Sequence, residues 1–166
     1  MSGRLPSSIR FEKGAEELDR GSSEDLAAAR HLMALLEAGY MIAAADGLAS
    51  GERSALADLI VQVTGGAKIT SERLATLFAR FEEILASEGL ESRLDAIADG
   101  FDDFMAREEA MSFAVLVAIA DGELSDREAA ALIALGKRID FSVGEVQAVV
   151  DSVAHALKSA LADVSG

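Results

Sequence analysis

The chain has 166 residues, 51% of them apolar and 27% charged, which is enough for one compact domain with a sizeable core. Aromatics make up 5%, Trp is absent and the single proline is Pro6, so the core must be built from Ala, Leu, Val and Ile, and helices can run long without interruption. The absence of cysteine excludes disulfides, thiolate zinc sites and cysteine nucleophiles, and two histidines, His31 and His155, are too few for a histidine-rich metal site.

The formal net charge is −14, from 15 basic and 29 acidic residues. A body this negative repels phosphate backbones and anionic headgroups, so nucleic acid and membrane surfaces are poor partners. Cations and basic protein faces are better ones. Residues 1–21 hold four basic and four acidic groups, so the whole excess falls in 22–166. The N-terminus lacks the apolar stretch of about 7–15 residues that a secretory leader needs. The most apolar runs, around 38–45 and 110–120, fall short of the roughly 18 residues of a bilayer span. A cytoplasmic protein is expected, with no direct membrane insertion.

Residues 1–21, with Pro6 and several Ser and Gly, read as a flexible N-terminal tail. Ser22 or Ser23 caps a first helix that runs to about Ala45, with Glu24 and Asp25 in its first turn. Its second half (Leu32, Met33, Leu35, Leu36, Tyr40, Met41, Ile42) is apolar on nearly every side, which predicts burial all round. Asp46-Gly47 ends it, the glycine taking the left-handed conformation. Ser50 opens a second helix with Leu56, Leu59, Ile60 and Val63 on its buried face, broken by Gly65-Gly66. Thr70 or Ser71 caps a third, where Leu74, Leu77, Phe78, Phe81 and Leu85 recur at helical spacing before Gly89. A short helix covers about 90–98 and stops near Gly100.

A long helix follows over roughly 102–120, apolar from Met111 to Ala120 apart from Ser112, and ended by Asp121-Gly122. Ser125 with Glu128 and Ser142 with Glu145 each form a capping-box pattern opening the last two helices. The final helix carries Val143, Val146, Val149, Val150, Val153 and Leu157 on one face. The methionines, including Met33, Met41, Met105 and Met111, read as core filler. His31 reads as a packed or rim residue and His155 as a partly exposed one. The prediction is all-α: a single domain over 22–160 of about seven helices with two buried central ones, and a C-terminal tail at 161–166.

The halves resemble each other. Ile42-Ala43-Ala44-Ala45-Asp46-Gly47 matches Val117-Ala118-Ile119-Ala120-Asp121-Gly122 at four of six positions, and Ser50 lies over Ser125 at the same offset. A duplicated three-helix unit with an internal pseudo-two-fold is expected, repeats about 23–87 and 102–157, joined through 90–98.

Ala-Asp-Gly followed by a serine cap is an ordinary way to join two helices. The aspartate is nevertheless the costly choice. An acid at a helix C-terminus faces the negative end of the macrodipole, unfavourable by roughly 0.3–1 kcal/mol, and Asn would serve the turn without that cost. The choice is made twice, at Asp46 and Asp121. A bound cation would offset it by meeting both the carboxylate and the free carbonyls of the helix end. Glu52 lies within a turn of the first loop, and Glu123, Asp126 and Glu128 within a turn of the second. An all-oxygen donor set favours Ca²⁺, then Mg²⁺ or Mn²⁺, over zinc or copper. The EF-hand spacing is absent. Whether the two loops meet is not readable from the sequence.

The stretches Ala45-Asp46-Gly47-Leu48-Ala49-Ser50-Gly51-Glu52 and Ala120-Asp121-Gly122-Glu123-Leu124-Ser125-Asp126-Arg127-Glu128 resemble the A-D-G-x-x-S-x-x-E element of the TerB-like family, named for a tellurite-resistance protein. The resemblance covers about residues 24–155. It implies a seven-helix fold with an internal repeat, and a non-enzymatic cytoplasmic protein with acidic, divalent-cation-binding loops linked to tellurite and stress resistance. The second copy matches at Asp121, Ser125 and Glu128. In the first, Glu52 falls one residue early, Arg53 stands where the acid is expected, Ala49 replaces a larger apolar residue and Gly51 weakens the helix start. If one loop binds metal more weakly, it is the first.

The leading functional expectation is a cation-responsive helical module acting through protein partners, with homo-oligomerisation left open. The alternative is a metal-independent acidic scaffold that binds a basic partner. A hydrolase is disfavoured because the acidic loops have no nearby base or nucleophile. Reduction or methylation of tellurite is also disfavoured, since it would be expected to need thiols or a redox cofactor.

Overall fold

The computed structural model describes residues 23–48, 50–63, 69–120 and 123–165. The expected tail at 1–21, the Gly65-Gly66 break and the Asp121-Gly122 turn lie outside the described residues. The described residues form seven helices: α1 (Ser23–Ala44), α2 (Ser50–Val63), α3 (Ser71–Glu88), α4 (Leu90–Ala98), α5 (Phe104–Ile119), α6 (Asp126–Arg138) and α7 (Val143–Ser165). No strand occurs among the described residues, and no helix among them is long and apolar enough to cross a membrane.

Local chemistry sets the helix ends. Thr70 Oγ1 accepts from the Arg73 N–H at 3.2 Å and caps α3. Asp103 Oδ1 accepts from the Ala106 N–H at 2.8 Å, so α5 starts at Phe104, two residues later than its apolar pattern suggests. Both capping boxes are present. The Glu128 N–H donates to Ser125 Oγ and the Ser125 N–H to Glu128 Oε1, each at 3.1 Å. Ser142 and Glu145 repeat the exchange at 2.8 and 3.1 Å. Gly47 sits at φ +83°, a conformation open to glycine at little cost, and its N–H closes the end of α1 on the Ala44 carbonyl at 3.0 Å.

The most extensive interhelix packing is between α1 and α5, followed by α5 with α7 and α1 with α4. Leu36, Met41 and Ile42 of α1 and Met111, Ala114 and Val115 of α5 are fully buried. Each buried Leu, Ile or Met contributes about 1.5–3 kcal/mol against exposure. Close approach of α1 and α5 depends on Gly39, where a Cβ would lie 2.8 Å from Phe113 Cε2. Tyr40, Phe78 and Phe81 form an aromatic cluster between α1 and α3, with ring centroids 5.2–6.5 Å apart. Burial is the largest influence on the Tyr40 phenol and pushes its pKa up.

Several details depart from expectation. Met33 is 39% exposed, so α1 is not buried on every side, and Met105 is 78% exposed; only Met41 and Met111 of the four named methionines fill the core. Helix α7 continues to Ser165, beyond the boundary expected at 160, because alanine and leucine at 154–162 favour helix and no Gly or Pro intervenes. Packing ends earlier, since Lys158, Ser159 and Ala160 are exposed. The halves share an order of elements but not a set of contacts: α6 packs on both α5 and α7, whereas α2 packs chiefly on α3.

Candidate functional site

The C-terminus of α1 and the N-termini of α2 and α6 meet around one open hollow of about 510 Å³. Asp46, Gly47 and Glu52 line it from the first loop, and Glu123, Ser125, Asp126 and Glu128 from the second. Described residues from two stretches far apart in sequence, Asp46, Gly47 and Glu52 on one side and Glu123, Ser125, Asp126 and Glu128 on the other, are thus brought to one place, with Ala43 and Leu124 as apolar lining. No Lys or Arg lines the hollow among the described residues.

Each acid is held by its element. Asp46 follows the last turn of α1, exposed, next to the helix-ending carbonyls. Glu52 lies in the first turn of α2, and Asp126 and Glu128 in the first turn of α6, where the positive end of the macrodipole accommodates them. Glu128 is half-buried and engaged, because its Oε1 accepts the Ser125 N–H. Asp121 lies outside the described residues.

As a cation site the donors fit in kind. Carboxylates, a serine hydroxyl and main-chain carbonyls are hard oxygen ligands, suited to Ca²⁺, Mg²⁺ or Mn²⁺. They do not fit in number. Among the described residues no three Asp, Glu or His side chains are grouped so that they could hold an ion. A shell of 6–8 oxygens around calcium would need water and groups beyond these carboxylates.

Arg53, which replaces the acid expected in the first copy, is turned to other work. Its Nη2 pairs with Glu82 on α3 at 2.7 Å and it does not line the hollow. Its side chain thereby ties α2 to α3 beside Tyr40. His31, on α1, places Nε2 2.6 Å from Glu109 on α5 and stands edge-on to Phe101 at 5.6 Å. His155 is exposed. Both histidines are therefore rim or surface residues, as their surroundings in the sequence suggest.

Sequence reasoning missed a buried ion pair. Arg93 of α4 donates from Nε to Glu37 Oε2 at 2.7 Å and from Nη2 to Glu37 Oε1 at 2.9 Å, with Nη1 on Glu88 at 3.1 Å. Glu37 is the one buried charged residue among those described. The signal was available, since a lone glutamate between Leu36 and Ala38 in the apolar half of α1 demands a cationic partner. The partner's identity was not.

No protein-family profile, curated protein or solved structure matches the chain.

Proposed function

We propose that this is a non-enzymatic helical interaction module, TerB-like in character, whose paired Asp-Gly loops take up a hydrated divalent cation and thereby bias docking to a protein partner. In the setting the resemblance implies, that docking serves tellurite or general stress resistance in the cytoplasm. One observation carries the reading: the described residues of the two sequence-equivalent stretches, Asp46, Gly47 and Glu52 with Glu123, Ser125, Asp126 and Glu128, line a single acidic hollow. Asp46, Asp126 and Glu123, with Asp121 and Glu52, would face the ion, with Glu128 shared between it and the α6 cap. Ca²⁺ is the favoured occupant, with Mg²⁺ and Mn²⁺ next. The ion would supply positive charge that offsets the acids and the C-terminal end of α1.

Calorimetric titration of the full chain with Ca²⁺, Mg²⁺ and Mn²⁺, beside Asp46→Asn and Asp121→Asn, tests this. Saturable heat that weakens in both variants is the expected result. No binding at millimolar Ca²⁺ removes the cation from the proposal.

A second reading keeps the module and drops the metal: an acidic scaffold that binds a basic partner. It is favoured by the lack of three grouped carboxylates among the described residues, and by the two helix N-termini that already stabilise the acids there. It expects association that weakens with salt and ignores chelators.

A further inference from the structure

A second and larger concavity, about 790 Å³, lies between the beginning of α1 and the beginning of α5 and shares no lining residue with the acidic hollow. Ala28, Ala106 and Met105 give it apolar walls, and Asp102, Glu108 and Glu109 edge it. No Lys or Arg lines it among the described residues. Glu109 is engaged by His31, and Asp103, which also lines it, caps α5. Asp102 and Glu108 are exposed and have no such local task. Beside them stand Phe104 and Met105, 66% and 78% exposed, the two most exposed large apolar side chains among the described residues. An apolar wall edged by unanswered carboxylates is complementary to a segment carrying both apolar anchors and cations.

The chain contains such a segment. Residues 4–13 read Arg-Leu-Pro-Ser-Ser-Ile-Arg-Phe-Glu-Lys, with three cations against one acid and with Leu5, Ile9 and Phe11 as anchors. Lys13 is ten residues before Ser23, where α1 begins, and the groove wall starts at Ala28. Ten residues span up to roughly 33 Å, ample for that reach. Covalent attachment also raises the local concentration of the segment to about the millimolar range, so weak individual contacts suffice.

We propose that residues 4–13 dock in cis into the α1–α5 groove, with Arg4, Arg10 and Lys13 answering Asp102, Glu108 and their neighbours, and an apolar side chain meeting Met105. The groove is then an occupied surface whose release is controlled by ionic strength or by a competing basic partner. The inference is independent of the cation.

The full chain tests it directly, because it has no cysteine. A nitroxide on Ser8→Cys is the only thiol label, and methyl-¹³C methionine makes Met105 a reporter. The expected result is loss of the Met105 methyl signal at low salt, with recovery at high salt. Recovery is also expected in Asp102→Asn/Glu108→Gln and in Arg4→Gln/Arg10→Gln/Lys13→Gln, both of which leave the Asp103 cap and the His31–Glu109 contact intact. Unchanged Met41 and Met111 shifts show that the variants are folded. A Met105 signal that stays sharp at low salt overturns the proposal. So does broadening that survives both neutralised variants, or broadening that arises only when nitroxide-labelled and ¹³C-labelled copies are mixed, which would mean a second copy occupies the groove.

Discussion

Replacing Arg93 with alanine tests how the buried charge is tolerated. Glu37 and Arg93 have side chains 11% and 17% exposed and meet through two parallel hydrogen bonds of 2.7 and 2.9 Å. Bidentate geometry of this kind is what makes a largely desolvated pair tolerable. Arg93→Ala leaves the Glu37 carboxylate in place without its cation, a loss of about 3–5 kcal/mol. For a domain of this size each kcal/mol lowers Tm by roughly 2–4 °C, so a fall of roughly 6–20 °C is expected. Glu37→Met/Arg93→Met removes both charges and keeps much of the volume. It should lie within about 2 kcal/mol of the wild type, on either side. Urea unfolding followed by circular dichroism at 222 nm measures both. If Arg93→Ala costs less than about 1 kcal/mol, the pair is hydrated and the reasoning fails.

Three further outcomes follow from single contacts. Gly39→Ala should destabilise by about 1–3 kcal/mol despite the higher helix propensity of alanine, because its methyl would meet Phe113; unfolding curves that match the wild type would show that the ring can give way. Ser125→Ala should cost about 0.5–2 kcal/mol through loss of the α6 cap, read as a lower urea midpoint with an unchanged slope. The Glu145 carboxylate is held below the usual glutamate range by the Ser142 main-chain N–H and then by its side chain. A depressed folded-state pKa adds stability above the unfolded value and loses it as pH falls through the folded one. The Tm gap between wild type and Glu145→Gln should therefore narrow as pH is taken below the ordinary 4.5, and a gap that stays constant would refute the assignment.

The candidate site divides along the same physical line as the fold. Asp46 was legible as a candidate because an acid at a helix C-terminus is a local anomaly, Glu52 because it lies within a turn of that loop, and Ser125 and Glu128 because a capping box is a four-residue pattern. That both loops line one hollow was not legible, since nothing within either loop reports the other. The acid-edged groove beside Met105 was hidden for a related reason. The residue type of Met105 suggests core, whereas the structure leaves it 78% exposed near the start of α5.

The sequence by itself determined the seven helices and most of their ends, because caps, glycine stops and helical periodicity act within about one turn. Thr70, Gly47 and the boxes at Ser125 and Ser142 perform in the structure the tasks their residue types predict. Only the tertiary structure decided which charges meet. Arg93 reaches Glu37 across 56 positions, and Arg138 of α6 reaches Glu91 and Asp95 of α4 across 47 and 43. A periodic pattern states which face of a helix is apolar, but it carries no information on which helix covers that face or at what rotation. Those two quantities place Glu37 against its arginine and bring Asp46 and Glu52 to one hollow with Glu123 and Asp126.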